Sequence, residues 1–587
     1  MPREPFTFVE IDIDRCQLDW GTLPCTAALA ANTARKCFKT FGTCKAKGAF
    51  TSAPFTIRLC EPRGNLPLGM GLIPVVEDIS QITATVNIAG TDDSLGPLGR
   101  TATVTVTCTD PPHDGLGIDP YWSERISGAA QFDGVGYRPG DFGTLWGKLK
   151  AWWPHFAGRP LRIVEGWLVD GAFVQEASRA YVLAEWTGPS DKGRVQLKAK
   201  DPLSQLHDDK LVEPPVSRGV LAAAITDAPG IAATLSPAGI GDSDYPASGR
   251  ICIGSEMADY TRAGDVLTLT ARGVRGTKAA THAEGDTAQQ VLVVDGWRLD
   301  DLVDYLTGRK LPPEYRPKAA KWAPEVTRWA SSVRLTTDIG KPEGVAKLLG
   351  ELAVLGVSIF WDDVAWEVGF KINRPIDNDP VYPLTDFGEL LTASVDERDD
   401  KRLTNVFFYT VQLDPTRSAT SADNYARLTD ISDGDALDPR AYGEARIRRI
   451  FCRWLNGGSD AIVRVLGRRL LRRLNTAPKR LAAEVSPKDR QIPLAAVCPV
   501  ETDVMQDDVG RPKPQSMQVI SRAPTGHGGK VQLVLQAYQF AGRYAFATQN
   551  DRPDYLASSE AQRARGMYAC DPVTLKMSNG DEPYLAI

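Results

Sequence analysis

Apolar and polar residues alternate with period two through much of the first half of the chain, the pattern of strands that bury one face. In QITATVNI (81–88), Ile82, Ala84, Val86 and Ile88 share a face; in TATVTVTC (101–108), Val104, Val106 and Cys108 do. TDDSLGPLGR between them supplies turn residues, so the two runs predict a hairpin, with Cys108 as a small core residue. RPLRIVEGWLVDG, SRAYVLAEWTG and RVQLKAKDPL extend the pattern across 145–201, each run closed by Gly, Pro or Asp. Residues 215–295 are rich in Ala, Gly and Thr. Short runs such as GRICIGSEMADYTR and VLTLTARG predict a small all-β insertion there, with Cys252 packed in a strand.

After about residue 296 the period changes. WRLDDLVDYLTG has helical spacing, and GKPEGVAKLLGELAVLG has Pro342 early and Gly356 as a stop. VSIFWDDVAWEVGF reads as strand, turn, strand, and LTNVFFYTVQL (403–413) as a strand. SDAIVRVLGRRLLRRLN (459–475) predicts a helix capped by Ser459 or Asp460, with a very basic outer face. MQVISRA and KVQLVLQAYQF close the region as strands. The fold class is mainly β with α+β additions, in several small β-barrel or sandwich modules. The expected divisions are a cysteine-rich segment at 1–60, a β-rich domain at 61–212, the insertion at 213–295, an α+β module at 296–545 and a C-terminal extension at 546–587.

Composition narrows the function. The chain has 587 residues, 43% hydrophobic and 24% charged, with 52 Gly and 41 Pro in keeping with many turns. A net charge of −5 gives no reason to expect specific nucleic-acid binding. No membrane span is expected, since the longest apolar stretch, LGELAVLGVSIFW (349–361), is short and holds Glu351. MPREPFTFVEIDID has no apolar core of a secretory signal, so synthesis in the cytoplasm is expected.

Catalytic chemistry finds no foothold. GxSxG, HExxH, Walker and CxxC motifs are absent. The histidines at 113, 155, 207, 282 and 527 are scattered; His155, beside aromatics in WWPHF, reads as packed or hydrogen-bonded. GHGG (526–529) reads as a turn, and the acidic runs 396–400 and 432–438 as solvated loops without EF-hand spacing. Arg464, Arg468, Arg469, Arg472 and Arg473 form a band read as a solvated face or a contact for an acidic partner subunit.

The cysteines are uneven: four of ten fall in the first 44 residues, in DRCQLDWGTLPC and RKCFKTFGTC. Cys16 and Cys25 are nine apart, and Cys37 and Cys44 seven apart. Disulfides are disfavoured in the cytosol. Zinc favours closer pairs, and an iron–sulfur cubane can draw four thiolates from spread loops. Spacing alone leaves structural thiols and a metal equally open. Arg15, Arg35, Lys36, Lys39 and Lys45 would offset thiolate charge and are expected to lower the thiol pKa values.

CQLDWGTLPC followed by ARKCFKTFGTCKAKGAF resembles the cysteine segment of tail-tip and baseplate hub proteins of long-tailed bacteriophages, the lambda-like iron–sulfur family. Phe38 stands where that family often has Tyr. WWPHFAGRPLRIVEGWL, SRAYVLAEWTGPSDKGRVQLKAKDPL and LSPAGIGDSDYPASGRICIGSEMADYTR are similar to further stretches of these proteins. AYGEARIRR (441–449) fits a YGxR-like signal, and ETDVMQDDVGR (501–511) roughly fits a GD-like one. The resemblance implies that Cys16, Cys25, Cys37 and Cys44 hold a 4Fe–4S cluster, with zinc as the alternative, and leaves Cys60 as a substitute for Cys25. It implies a non-enzymatic virion protein at the tail tip. Such a protein forms a ring with itself as a trimer, closes the tail tube, and contacts a distal tail protein and central spike or fibre proteins. Two rivals remain at this stage, a tail-associated cell-wall hydrolase and an iron–sulfur redox protein.

Overall fold

The protein is described from a computed structural model covering residues 3–19, 22–27, 37–80, 82–90, 98–101, 103–111, 143–374, 379–440, 444–457, 460–507, 509–524, 529–538, 544–545 and 585–586. The fold is mainly β and multidomain, with three curled sheets and one helix-bearing layer.

The first sheet runs in the order Leu72–Pro74, Ser52–Cys60, Arg3–Cys16, Pro160–Val169, Ala172–Thr187, Arg194–Lys200, Val104–Thr109, Val76–Ile79. Its two outer strands are successive pieces of one segment, separated by Val75 alone, so the sheet wraps into a barrel. Inside lie Val9, Ile11, Ile13, Leu59, Val104, Val106, Cys108, Leu161, Leu183 and Leu197. The helix Leu145–Trp152 plugs one end: Thr144 caps it by accepting from the Gly147 N–H, and Trp146 and Leu149 are 1% exposed. Strands of 1–60 and of 61–212 thus share one barrel.

The run 81–108 does not form the expected single hairpin. Ala84–Thr85 pairs with Arg100–Thr101 and is donated to Gln515–Pro524, with Thr85 opposite Ser521. Val104–Thr109 turns instead into the first barrel, with Val106 opposite Leu197. The alternation marked the buried face correctly, since Ile82, Ala84, Val86 and Ile88 are all buried, but Ala84, Val86 and Ile88 enter the core of the third sheet while Ile82 joins Val104, Val106 and Cys108 in the first barrel.

A second, smaller sheet follows the order Val220–Leu221, Ala232–Ser236, Val266–Ala271, Glu256–Ala263, Ser248–Ile253, Ala288–Gln290, and a bridge from Val220 to Thr287 closes it. Leu235, Ile251, Tyr260, Leu267 and Leu269 fill it, and Cys252 is buried. The third sheet joins Leu384–Thr385, Val497–Glu501, Gln515–Pro524, Val531–Ala537, Lys479–Val485 and Leu390–Glu397.

Between them lies the layer that carries the main helices. Leu299–Thr307 and Val345–Gly350 form where helical spacing predicts them, and Gly356 ends the turn after the latter at φ 81°. The basic helix is Asp460–Leu474, but its band of arginines is split. Arg464 and Arg468 are exposed, whereas Arg469 and Arg473 are buried. Arg469 reaches the Trp329 carbonyl at 3.0 Å and Arg473 the Asn373 side chain at 3.2 Å. Burial pulls both guanidinium pKa values down to about 10. The solvated-face reading therefore holds for only part of the band. Among the described residues, no helix is long and apolar enough to cross a membrane.

Candidate cysteine-rich metal site

The site is built at the plugged end of the first barrel. The fourteen-residue strand Arg3–Cys16 ends at the first cysteine. There its backbone is caught twice: the Cys16 N–H donates to the Lys39 carbonyl at 2.7 Å, and Gln17 N–H to Thr51 O at 3.0 Å. Cys25 is held by a turn, its N–H on Thr22 O at 2.9 Å.

The segment Cys37–Cys44 folds back on itself through two threonines that the cysteine spacing alone did not single out. Thr40 is 1% exposed, and its hydroxyl lies 2.9 Å from that of Thr43. The Thr43 hydroxyl accepts the Phe38 N–H at 3.1 Å, and the Cys44 N–H donates to Phe41 O at 3.3 Å. Lys39 takes φ 58°, the left-handed turn that points its carbonyl at Cys16. These contacts give a physical reason for the spacing Cys-Phe-Lys-Thr-Phe-Gly-Thr-Cys: the threonines close the loop that presents a thiol at each end.

The loop is anchored on the barrel plug. The Phe38 ring stacks on Trp152 at 4.5 Å between centroids. Trp153 Nε1 donates to the Asp14 carbonyl at 2.7 Å, two residues before Cys16. A phenyl ring at 38 is sufficient for this stack.

All four sequence-predicted cysteines, Cys16, Cys25, Cys37 and Cys44, are outside any disulfide and half-buried. The Cys37 thiol is pushed up mainly by burial; the Lys39 N–H at 3.4 Å from its sulfur opposes this, and the charges of Cys44, Cys16 and Cys25 add to it. The expected lowering is thus corrected for Cys37, where desolvation and the other thiols outweigh the Lys39 N–H. Among the described residues, no three or more His, Cys, Asp or Glu side chains stand close enough to hold a metal ion as they are placed. The donor set itself, four thiols with an N–H···S contact, has the chemistry of a tetrathiolate ligand group.

Cys60 is elsewhere. It lies opposite Phe8, whereas Cys16 lies opposite Ser52 in the same ladder. Eight register steps at about 3.3 Å place them roughly 26 Å apart. Cys60 is fully buried against Phe6, Phe8 and Val164, and burial raises its thiol to about 11. It packs and does not substitute for Cys25.

The histidines divide differently from the sequence reading. His155 is exposed, not packed. His282, which sequence reasoning left unassigned, is buried and sits 2.8 Å from Glu256. His113, His527 and GHGG (526–529) up to Gly528 lie outside the described residues, as do most of the C-terminal extension and Tyr442 of the YGxR-like signal. The acidic run 396–400 is tied by arginines: Asp400 to Arg398 at 2.8 Å and Asp399 to Arg446 at 2.7 Å.

No protein-family model matches the chain, and no curated protein does. Among solved structures it is similar to the 43 kDa tail protein of prophage MuSo2 from Shewanella oneidensis, at 10% identity and TM-score 0.33, covering 79% of this chain and 97% of that one. It is similar also to the tail protein from Neisseria meningitidis MC58, at 10% identity and TM-score 0.34, covering 79% and 96%. A third is prophage tail protein gp18 from Listeria monocytogenes EGD-e, at 10% identity and TM-score 0.26, covering 65% and 86%. At TM-scores this low the likeness carries no argument about function.

Proposed function

We propose that this chain is a structural protein of a bacteriophage tail tip or baseplate hub, and that Cys16, Cys25, Cys37 and Cys44 bind a 4Fe–4S cluster or a zinc ion that staples the loop 16–44 to the end of the first barrel. The observation that supports this reading is that the strand end at Cys16 is tied to the loop 37–44 through the Cys16 N–H on the Lys39 carbonyl, within a segment that resembles the cysteine segment of such proteins. The loop has few apolar anchors of its own, chiefly Phe38 on Trp152, so a bound metal would supply the order that its core does not. In this role the chain assembles with copies of itself into a ring and meets other tail proteins in the virion. The chain's own residues would orient the thiols and half-bury Cys37; the metal group would supply cross-linking.

Anaerobic purification tests the metal. A brown solution with a broad shoulder near ~400 nm and about four irons per chain supports the cluster, and a colourless protein with about one zinc supports the alternative. Protein with neither metal, after expression with both supplied, would remove the staple. The assembly role is tested by electron microscopy of the purified chain, where rings are expected. A lytic band on cell-wall zymograms would overturn the non-enzymatic reading.

A further inference from the structure

Two exposed surfaces of the chain match each other in shape class and charge. One is the cysteine loop. Leu23 is 82% exposed and Phe41 is 55% exposed, which is unusual for large apolar side chains beside a cysteine site. Lys45 and Lys47 flank them, both exposed, with the Lys47 ammonium 5.2 Å from the Phe41 ring centre. Residues 15–50 carry six Lys or Arg and one Asp. Even with a tetrathiolate centre of charge about −2, the segment stays positive.

The other surface is the end of the third sheet. Phe387 projects fully, at 102% of its reference exposure, from the turn after Leu384–Thr385. Val504, 49% exposed, follows Asp503 on the neighbouring loop, and Val509, further along the chain, is 70% exposed. The two loops are joined, since the Asp503 N–H donates to the Asp386 carboxylate at 2.8 Å. The rim is acidic: Asp386, Glu501 and Asp503 are exposed, against Arg511 and Lys513 on the far arm. Because Leu23 and Phe387 are both open in the single chain, neither surface covers the other.

We propose that the cysteine loop of one copy seats on the Phe387–Val504 end of the third sheet of the next copy. Leu23 and Phe41 meet Phe387, Val504 and Val509, while Lys45 and Lys47 face Glu501 and Asp503. The contact joins two different patches, so it is heterologous, and with a closing rotation it makes a ring. It also sheathes the half-exposed thiols at the joint. Opposite charges of this kind steer and register the partners, and the apolar centre holds them. The inference rests on the ring reading above and names its interface.

The test uses the full chain, metal-loaded, in sedimentation velocity at about 0.05 M and about 0.5 M salt. The wild type is expected to assemble, more weakly at the higher salt. Lys45→Glu/Lys47→Glu and Glu501→Lys/Asp503→Lys should each weaken assembly by at least about tenfold, and the quadruple variant should recover to within about threefold of wild type. Phe387→Ser should weaken it without changing the salt dependence. Circular dichroism and metal content confirm that each variant is folded and loaded. A wild type that assembles while both charge reversals leave it unchanged, or a quadruple variant that stays dissociated, overturns this interface and leaves the ring standing. A wild type that stays monomeric at high concentration overturns the ring and this interface together.

Discussion

The first and second barrels each carry a polar centre, and they complete it in opposite ways. In the second barrel Glu256 is 2% exposed and its carboxylate is saturated by the chain itself. It accepts from Arg272 at 2.7 Å and through a second guanidinium nitrogen, from Ala280 N–H at 3.0 Å, from Gly273 N–H at 3.2 Å, and meets His282 at 2.8 Å. At the end of the first barrel the chain sets Cys16, Cys25, Cys37 and Cys44 on a strand end and two turns, all half-buried. One centre is finished by folding; the other, on the proposed reading, takes its ligand from outside. A buried charge with all its partners in place fixes a loop permanently, whereas a thiol group fixes one only while the ligand is bound.

The largest expected effect breaks the finished centre. Glu256→Gln leaves Arg272 buried without its carboxylate, and the second barrel should lose about 3–5 kcal/mol in urea unfolding. A loss under about 1 kcal/mol would mean that the carboxylate does not hold the loop 272–282. The same site sets an acid limit. Arg272, His282 and the backbone donors win over burial and hold Glu256 at about 2. The unfolded value is about 4.3, so the stabilisation is complete above that pH and is lost as pH falls towards 2. Thermal midpoints at pH 6, 4 and 3 should fall in that order, and Glu256→Gln should flatten the dependence. An unchanged slope in the variant would assign the acid sensitivity elsewhere.

The conditional centre should fail locally instead. Cys37→Ser is expected to lose its bound metal, and trypsin should cut at Lys39, Lys45 and Lys47 at least about tenfold faster, while the urea midpoint of the second barrel stays put. If the whole chain loses stability together, the loop is part of the barrel's core and not a stapled addition. Phe38→Ala probes the anchor that remains without metal. It removes the stack on Trp152 and should cost about 1–2 kcal/mol in the metal-free protein, read from the tryptophan fluorescence transition. Equal transitions for variant and parent would place the anchor elsewhere.

How much of this could be read in advance follows from range. Strands such as Pro160–Val169 and Glu256–Ala263 bury one face, so alternation located them. The hairpin across 81–108 failed because Thr85 chooses Ser521 and Val106 chooses Leu197, decisions made by partners far along the chain. The cysteines stood out because their residue type is rare and clustered. Glu256 did not, since its partners come from loops 16 to 26 positions away and no local spacing marks them. Arg469 and Arg473 were misplaced for a related reason. A helical pattern scores arginine as outward, and only the Trp329 carbonyl and Asn373 in the folded layer reveal that these two face in.

Cys60 gives the smallest effect and the sharpest division between the two kinds of cysteine. It sits in the same strand pair as Cys16, is raised to about 11 by burial, and touches only apolar neighbours in its cluster. A thiol so reluctant to ionise is a poor metal ligand, and the ladder keeps it roughly 26 Å from Cys16. Cys60→Ala should therefore leave metal content unchanged and cost about 1 kcal/mol for the small cavity beside Phe8 and Val164. Cys25→Ser, by contrast, should lose the metal with little change in the unfolding midpoint of the barrel. Were the Cys60 variant to come out metal-free and the Cys25 variant loaded, the fourth ligand would be Cys60. The register between Arg3–Cys16 and Ser52–Cys60 would then have to differ from the one described, because no motion of the loop alone could bring Cys60 to the other three thiols.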